Sequence, residues 1–110
     1  MKDSARNKYG LTVRDVNTIQ EILSKYPEVE TIHIFGSRAM NKFKHGSDID
    51  LAVINEGVDD KTISLIRNDF QESSLPYRVD IVQYPALSHE NLKNHIDRAG
   101  VLFYKSGKVI

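Results

Sequence analysis

The segment Asp48-Ile49-Asp50-Leu51-Ala52-Val53-Ile54 constrains the fold more than any other part of the chain. It is apolar enough to be a buried strand, yet it carries two carboxylates one residue apart. Successive side chains of a strand alternate faces, so Ile49, Leu51 and Val53 point one way and Asp48 and Asp50 the other. The two acids then lie about 6.6 Å apart along the strand. The chain must therefore build a sheet with one face sealed by helices and an opposite face that tolerates clustered negative charge.

The rest of the pattern supplies such a sheet. Thr12 followed by Asp15 reads as a capping box, and Val13, Val16, Ile19, Ile22 and Leu23 recur at helical spacing until Pro27. Residues 29–35 form a strand rich in β-branched and aromatic side chains, with Ile32 and Ile34 on one face and Thr31, His33 and Phe35 on the other. Residues 36–47 read as a polar loop, 48–54 as the second strand, and 61–73 as a helix buried through Ile63, Ile66 and Phe70. A third strand spans 78–84, and Ser88 caps a helix that carries Leu92, Ile96 and Ala99 and closes at Gly100. Residues 101–104 make a fourth strand. The order αββαβαβ implies an α+β (or α/β) fold, a small mixed sheet with helices on one face, and residues 1–110 read as a single domain.

The third strand has the same texture as the second. Val79 and Ile81 take one face, while Asp80 shares the other with Arg78 and Val82. If these strands are neighbours, Asp48, Asp50 and Asp80 meet on one face. Two carboxylates about 5 Å apart repel by roughly 3 kcal/mol at an effective dielectric near 20. A domain of this size has only about 5–15 kcal/mol of net stability, so the cluster calls for a cation. Carboxylate oxygens suit Mg²⁺, and Mn²⁺ equally well, and two ions about 3.5–4 Å apart form a clamp for in-line phosphoryl or nucleotidyl displacement. Gly36-Ser37 follows a strand directly, where a glycine admits a ligand close to the backbone and adjacent N–H groups cradle an anion. Arg38, Lys42 and Lys44 add positive charge between this turn and the aspartates.

Fifteen basic and fifteen acidic residues cancel, which argues against long nucleic acid as a partner. There is no cysteine, so neither disulfides nor thiolate metal ligation is available. No apolar run approaches the roughly 20 residues that a membrane span needs, and MKDSARNKYG has no apolar h-region. The expectation is a cytoplasmic protein without a membrane partner.

Three pieces together, Gly36-Ser37-Arg38-Ala39, Gly46-Ser47-Asp48-Ile49-Asp50-Leu51-Ala52-Val53 and Val79-Asp80-Ile81-Val82, resemble the polymerase-β-type nucleotidyltransferase superfamily. In size the chain is similar to its minimal members, the MNT domains, and the core motifs lie within residues 29–84. The resemblance implies that Asp48, Asp50 and Asp80 are catalytic and ligate two Mg²⁺ ions. Gly36, Ser37, Arg38 and Ser47 would hold the triphosphate of ATP or another nucleoside triphosphate, and Asp80 would help deprotonate the acceptor hydroxyl. It further implies a toxin–antitoxin pair, in which the MNT protein silences a helical HEPN-type partner by occlusion or by adding AMP to a tyrosine. Many relatives carry Arg-Gly after Gly-Ser-x-Ala. This chain has Met40-Asn41, and Asn tolerates the left-handed conformation such a turn uses.

Plainer roles stand beside these. Asp48 and Asp50 could be solvated acids of an edge strand, Asp80 the ion-pair partner of Arg78, Gly36-Ser37 an ordinary turn, and Arg38 a solvated arginine. Lys42 and Lys44 read as solubility charges. His33, His45, His89 and His95 have no mutual zinc spacing and read as surface or packing residues. Tyr77, Tyr84 and Tyr104 suit core or rim packing better than base stacking. A non-catalytic antitoxin, or a small-molecule (aminoglycoside-type) nucleotidyltransferase completed by a homo-oligomer, are the competing functions.

Overall fold

The computed structural model describes residues 5–110, and its three longer helices begin where a side chain can accept the free N–H groups of the first turn. Helix α1 (Val13–Leu23) opens on the expected capping box: Asp15 N–H donates to Thr12 Oγ1 and Thr12 N–H to Asp15 Oδ2, both at 3.0 Å. Helix α3 (Asp60–Gln71) is capped by Asp59, which accepts from Thr62 N–H at 2.9 Å. Helix α4 (Glu90–Ala99) is capped by His89 rather than Ser88, because His89 Nδ1 accepts the Leu92 N–H at 3.2 Å. Expectations at helix ends commonly slip by a residue in this way.

The sheet holds five strands in the order β3-β2-β1-β4-β5. Strand β1 (Thr31–Phe35) is central and pairs antiparallel with both β2 (Ile49–Val53) and β4 (Val101–Lys105). Strand β3 (Val79–Gln83) runs parallel to β2 at one edge, and β5 (Lys108–Val109) is a short hairpin partner of β4 at the other. Strand β1 starts two residues later than expected because Asn55 Oδ1 takes the N–H groups of Glu30 and Thr31, each at 3.0 Å. The four-residue helix α2 (Gly36–Ala39) replaces the first part of the expected loop.

Helices α1 and α3 seal one face. Ile19, Ile22 and Leu23 of α1 and Ile63, Ile66 and Phe70 of α3 join Ile32, Ile34, Ile49, Leu51, Val53 and Ile81 in one buried cluster. A register shift in β4 opposite Ile32 and His33 turns both Phe103 and Tyr104 into that cluster. The α+β mixed sheet stands, and one part of the expectation needs correcting: the helices are not all on one face. Helix α4 covers the other, where Phe35, Ala52 and Ile96 form a second buried cluster flanked by Ile54, Val82 and Leu92. The carboxylate face is polar only at one end, and its apolar remainder needs a cover of its own.

Among the described residues no helix is long and apolar enough to cross a membrane.

Candidate active site

At the C-terminal end of β1 the chain turns sharply through Gly36, whose φ of +77° lies in the left-handed region. Antiparallel register sets Phe35 opposite Asp50, so Gly36 lies directly against that carboxylate. A Cβ at position 36 would fall 2.2 Å from Asp50 Oδ2. Glycine is required here both by conformation and by contact.

Parallel register then sets Asp50 beside Asp80, on strands about 4.8 Å apart. Asp48 precedes β2 by one residue and is exposed, while Asp50 and Asp80 are half-buried. Strand β2 is internal to the sheet, so Asp50 is not a solvated acid on an edge, whereas Asp48 is open to solvent. Burial and then the charges of Asp80 and Asp48 push the Asp50 carboxyl above its usual range, with His95 and Arg38 pulling the other way. As they stand, no three carboxylate or imidazole side chains among the described residues lie close enough to share one ion. The chemistry of the donor set nevertheless fits a divalent cation: hard oxygen ligands on one face, one of them raised by burial and then by its neighbours' charge. Arg78 Nη2 reaches Asp80 Oδ1 at 3.7 Å. That ion pair is long, and its side chains are 75% and 48% exposed, so it offsets little of the repulsion.

The phosphate-side residues divide. Gly36 and Ser37 lie at the turn, and the Ser37 hydroxyl makes no hydrogen bond to another described residue. Arg38 is a correction. It is 2% exposed, with Nε and Nη2 donating to the Ser47 carbonyl at 3.1 and 2.7 Å and Nη1 to the Tyr9 carbonyl at 2.8 Å. Its guanidinium lies over the Tyr77 ring at 4.4 Å and the Phe43 ring at 5.2 Å. Its donors are taken by protein carbonyls and its faces by aromatic rings, so in this conformation it is not turned to the phosphate side, and neither is it a solvated arginine. Ser47 likewise works inside the loop, its Oγ accepting the Lys44 N–H at 2.8 Å and its carbonyl holding Arg38. Asn41 sits at φ +58°, the left-handed conformation expected of it, so the turn forms without the glycine.

His95 is the residue that spacing could not find. It lies on α4, its ring edge-on to Phe35, and its Nε2 accepts the Gly36 N–H at 3.2 Å. Through that acceptor nitrogen the imidazole fixes the first peptide of the turn. A lone histidine on a helix 59 residues away carries no periodicity to mark this contact.

Against known proteins, residues 17–108 match the family described as Polymerase beta, Nucleotidyltransferase. The chain is 32% identical over 93 residues, 84% of its length, to the probable protein adenylyltransferase MntA of Haemophilus influenzae, covering 81% of that protein. Its fold is similar to a chain of a toxin–antitoxin complex crystallised with AMP-PNP (TM-score 0.67, 25% identity, 83% of this chain and 73% of that one). It is also similar in fold to a chain from the tri-AMPylated Shewanella oneidensis HEPN toxin in complex with MNT antitoxin (TM-score 0.59, 24% identity, 81% and 68% covered).

Proposed function

We propose that this chain, which belongs to the polymerase beta nucleotidyltransferase family, is an antitoxin that transfers AMP from ATP to a tyrosine hydroxyl of a helical HEPN-type partner. Nucleotidyl transfer itself follows from the family. The observation that carries the rest is the line Gly36, Asp50, Asp80 across three adjacent strands, with Asp48 beside it. The names of the Haemophilus relative and of the AMP-PNP complex support adenylyl transfer to a protein. The HEPN complex contributes likeness of fold.

On this reading Gly36 and Ser37 receive the β- and γ-phosphates, and Asp48, Asp50 and Asp80 hold two Mg²⁺ ions. When bound, Mg²⁺ neutralises the carboxylates and stabilises charge that develops on the phosphoryl oxygens. The acceptor oxygen forms a bond to the α-phosphorus. The bond from that phosphorus to the bridging oxygen breaks, and pyrophosphate leaves with the electron pair. The hydroxyl proton passes to Asp80 Oδ2, since Oδ1 is the atom that Arg78 approaches. Positioning supplies most of the acceleration, since the displacement passes directly from acceptor to nucleotide with no covalent intermediate on the protein.

Incubation with α-labelled ATP, Mg²⁺ and the HEPN-type partner should label the partner at tyrosine, and Asp48→Asn should abolish the signal. Equal labelling by the variant would overturn the catalytic assignment. One observation favours a second reading, occlusion without turnover: Arg38 is withdrawn from the phosphate side and Met40-Asn41 supplies no other cation. In that case the Asp48→Asn, Asp50→Asn double variant would still neutralise the partner.

A further inference from the structure

On the far side of Asp80 from Gly36 lies a groove of about 630 Å³ between α3 and the open edge of β3. Its lining includes Arg67, Phe70, Gln71, Tyr77, Arg78 and Asp80. In-line displacement requires the entering oxygen and the leaving pyrophosphate on opposite sides of the α-phosphorus. With the leaving phosphates at Gly36, the entering hydroxyl arrives from the β3 side, where this groove opens.

We infer that the groove is the acceptor subsite and that it selects a tyrosine flanked by carboxylates on a protein partner. This rests on the nucleotidyltransferase reading of the same carboxylates. The lining carries two guanidinium groups against one carboxylate, and that carboxylate faces the catalytic end. Arg78 is exposed, and among the described residues its guanidinium makes one contact, the long one to Asp80. Arg67 is exposed too, with Nη2 donating to the Ile81 carbonyl at 2.9 Å and the rest of its fork turned to solvent. Leu75 and Tyr77, both partly buried, leave apolar surface against which an aromatic ring can pack, with Phe70 buried behind them. An acidic side chain next to the acceptor tyrosine would draw Arg78 from Asp80 Oδ1 and so remove a competing cation from that carboxylate when the hydroxyl arrives. Recognition and deprotonation would thereby be linked through one arginine.

The test uses two acceptors of opposite flanking charge, a random Glu–Tyr copolymer and a random Lys–Tyr copolymer, with α-labelled ATP and Mg²⁺. Wild type should label the Glu–Tyr copolymer about tenfold more efficiently (kcat/KM), the effect of two modest ion pairs. That preference should shrink between about 0.05 and 0.5 M salt. Arg78→Glu should abolish or invert it, and Arg67→Glu should add to the inversion. Because Arg67 also braces β3, the exposed Arg78 variant decides the matter alone. Equal labelling of the two copolymers, or a preference that survives Arg78→Glu, overturns the subsite. So does labelling of neither copolymer while Mg²⁺ with ATP still raises the melting temperature of the wild type. A melting temperature unmoved by Mg²⁺ with ATP sinks the nucleotide reading itself, and is a distinct result.

Discussion

Asp50 is where structure and chemistry conflict most openly, and that conflict is measurable. Its carboxyl is raised by burial first and by Asp80 and Asp48 after that. A carboxyl raised in the folded state keeps its proton to higher pH than in the unfolded chain. The native state therefore binds more protons between the two values, and stability falls as pH rises through that window. Asp50→Asn removes this penalty. Without divalent metal, the variant should match the wild type near pH 4 and gain on it towards pH 7, by about 1 kcal/mol after discounting for exposure, or several degrees in Tm. Melting curves in EDTA across that range check it; a gap that does not widen with pH counts against the cluster. His95 makes a second test at this scale. His95→Ala leaves the Gly36 N–H without its acceptor and should weaken MgATP binding by about tenfold. His95→Gln, whose side-chain oxygen can accept the same bond, should recover part of that loss. If the alanine and glutamine variants bind MgATP as the wild type does, the contact has no role in positioning the turn.

Among elements, those written in a local period were legible and those assembled across the chain were not. The capping box of α1, the Ile63-Ile66-Phe70 stripe of α3 and the alternation of β2 each depend on neighbours within a few residues, and all form as the pattern implies. Strand β5 was also written locally, in Ser106-Gly107. Both residues take positive φ (46° and 94°), which suits a two-residue hairpin, but the strand that follows is too short to show alternation. The placement of α4 depends on which apolar side chains share the carboxylate face, and that is set by sheet register. Arg38 is the strongest case. Beside a glycine-serine turn an arginine looks like a phosphate ligand, and only its tertiary partners, the carbonyls of Ser47 and Tyr9, show that it clamps α2 to the loop and to the N-terminal segment. Arg38→Lys keeps the charge but cannot reproduce the fork. It should cost about 2–3 kcal/mol in urea unfolding, since buried carbonyls lose charged donors, and a loss below about 0.5 kcal/mol would contradict the clamp.

For the whole molecule, the carboxylates make folding and ligand binding two sides of one balance. The pairing of Asp50 with Asp80 was legible because each acid interrupts an apolar alternation, and it rests on β2 and β3 being register neighbours. On the proposed reading a cation bound there would relieve the repulsion stored at that end of the sheet, so the ligand-free protein should be less stable than its apolar core permits. Ligand that binds only the folded chain adds stability as RT ln(1 + [L]/Kd), about 2.7 kcal/mol at a hundredfold excess over Kd. MgATP at that excess should therefore raise Tm by about ten degrees or more, given roughly 4–8 °C per kcal/mol for a domain this small. ATP with EDTA should do far less, because triphosphate and carboxylates then repel across the same gap. In Asp50→Asn the ligand-free Tm should start higher and MgATP should raise it less, so the two curves converge. A variant that starts higher and keeps the full MgATP shift would mean that the nucleotide binds away from Asp50, and that the charge cluster and the ligand site are separate features of the fold.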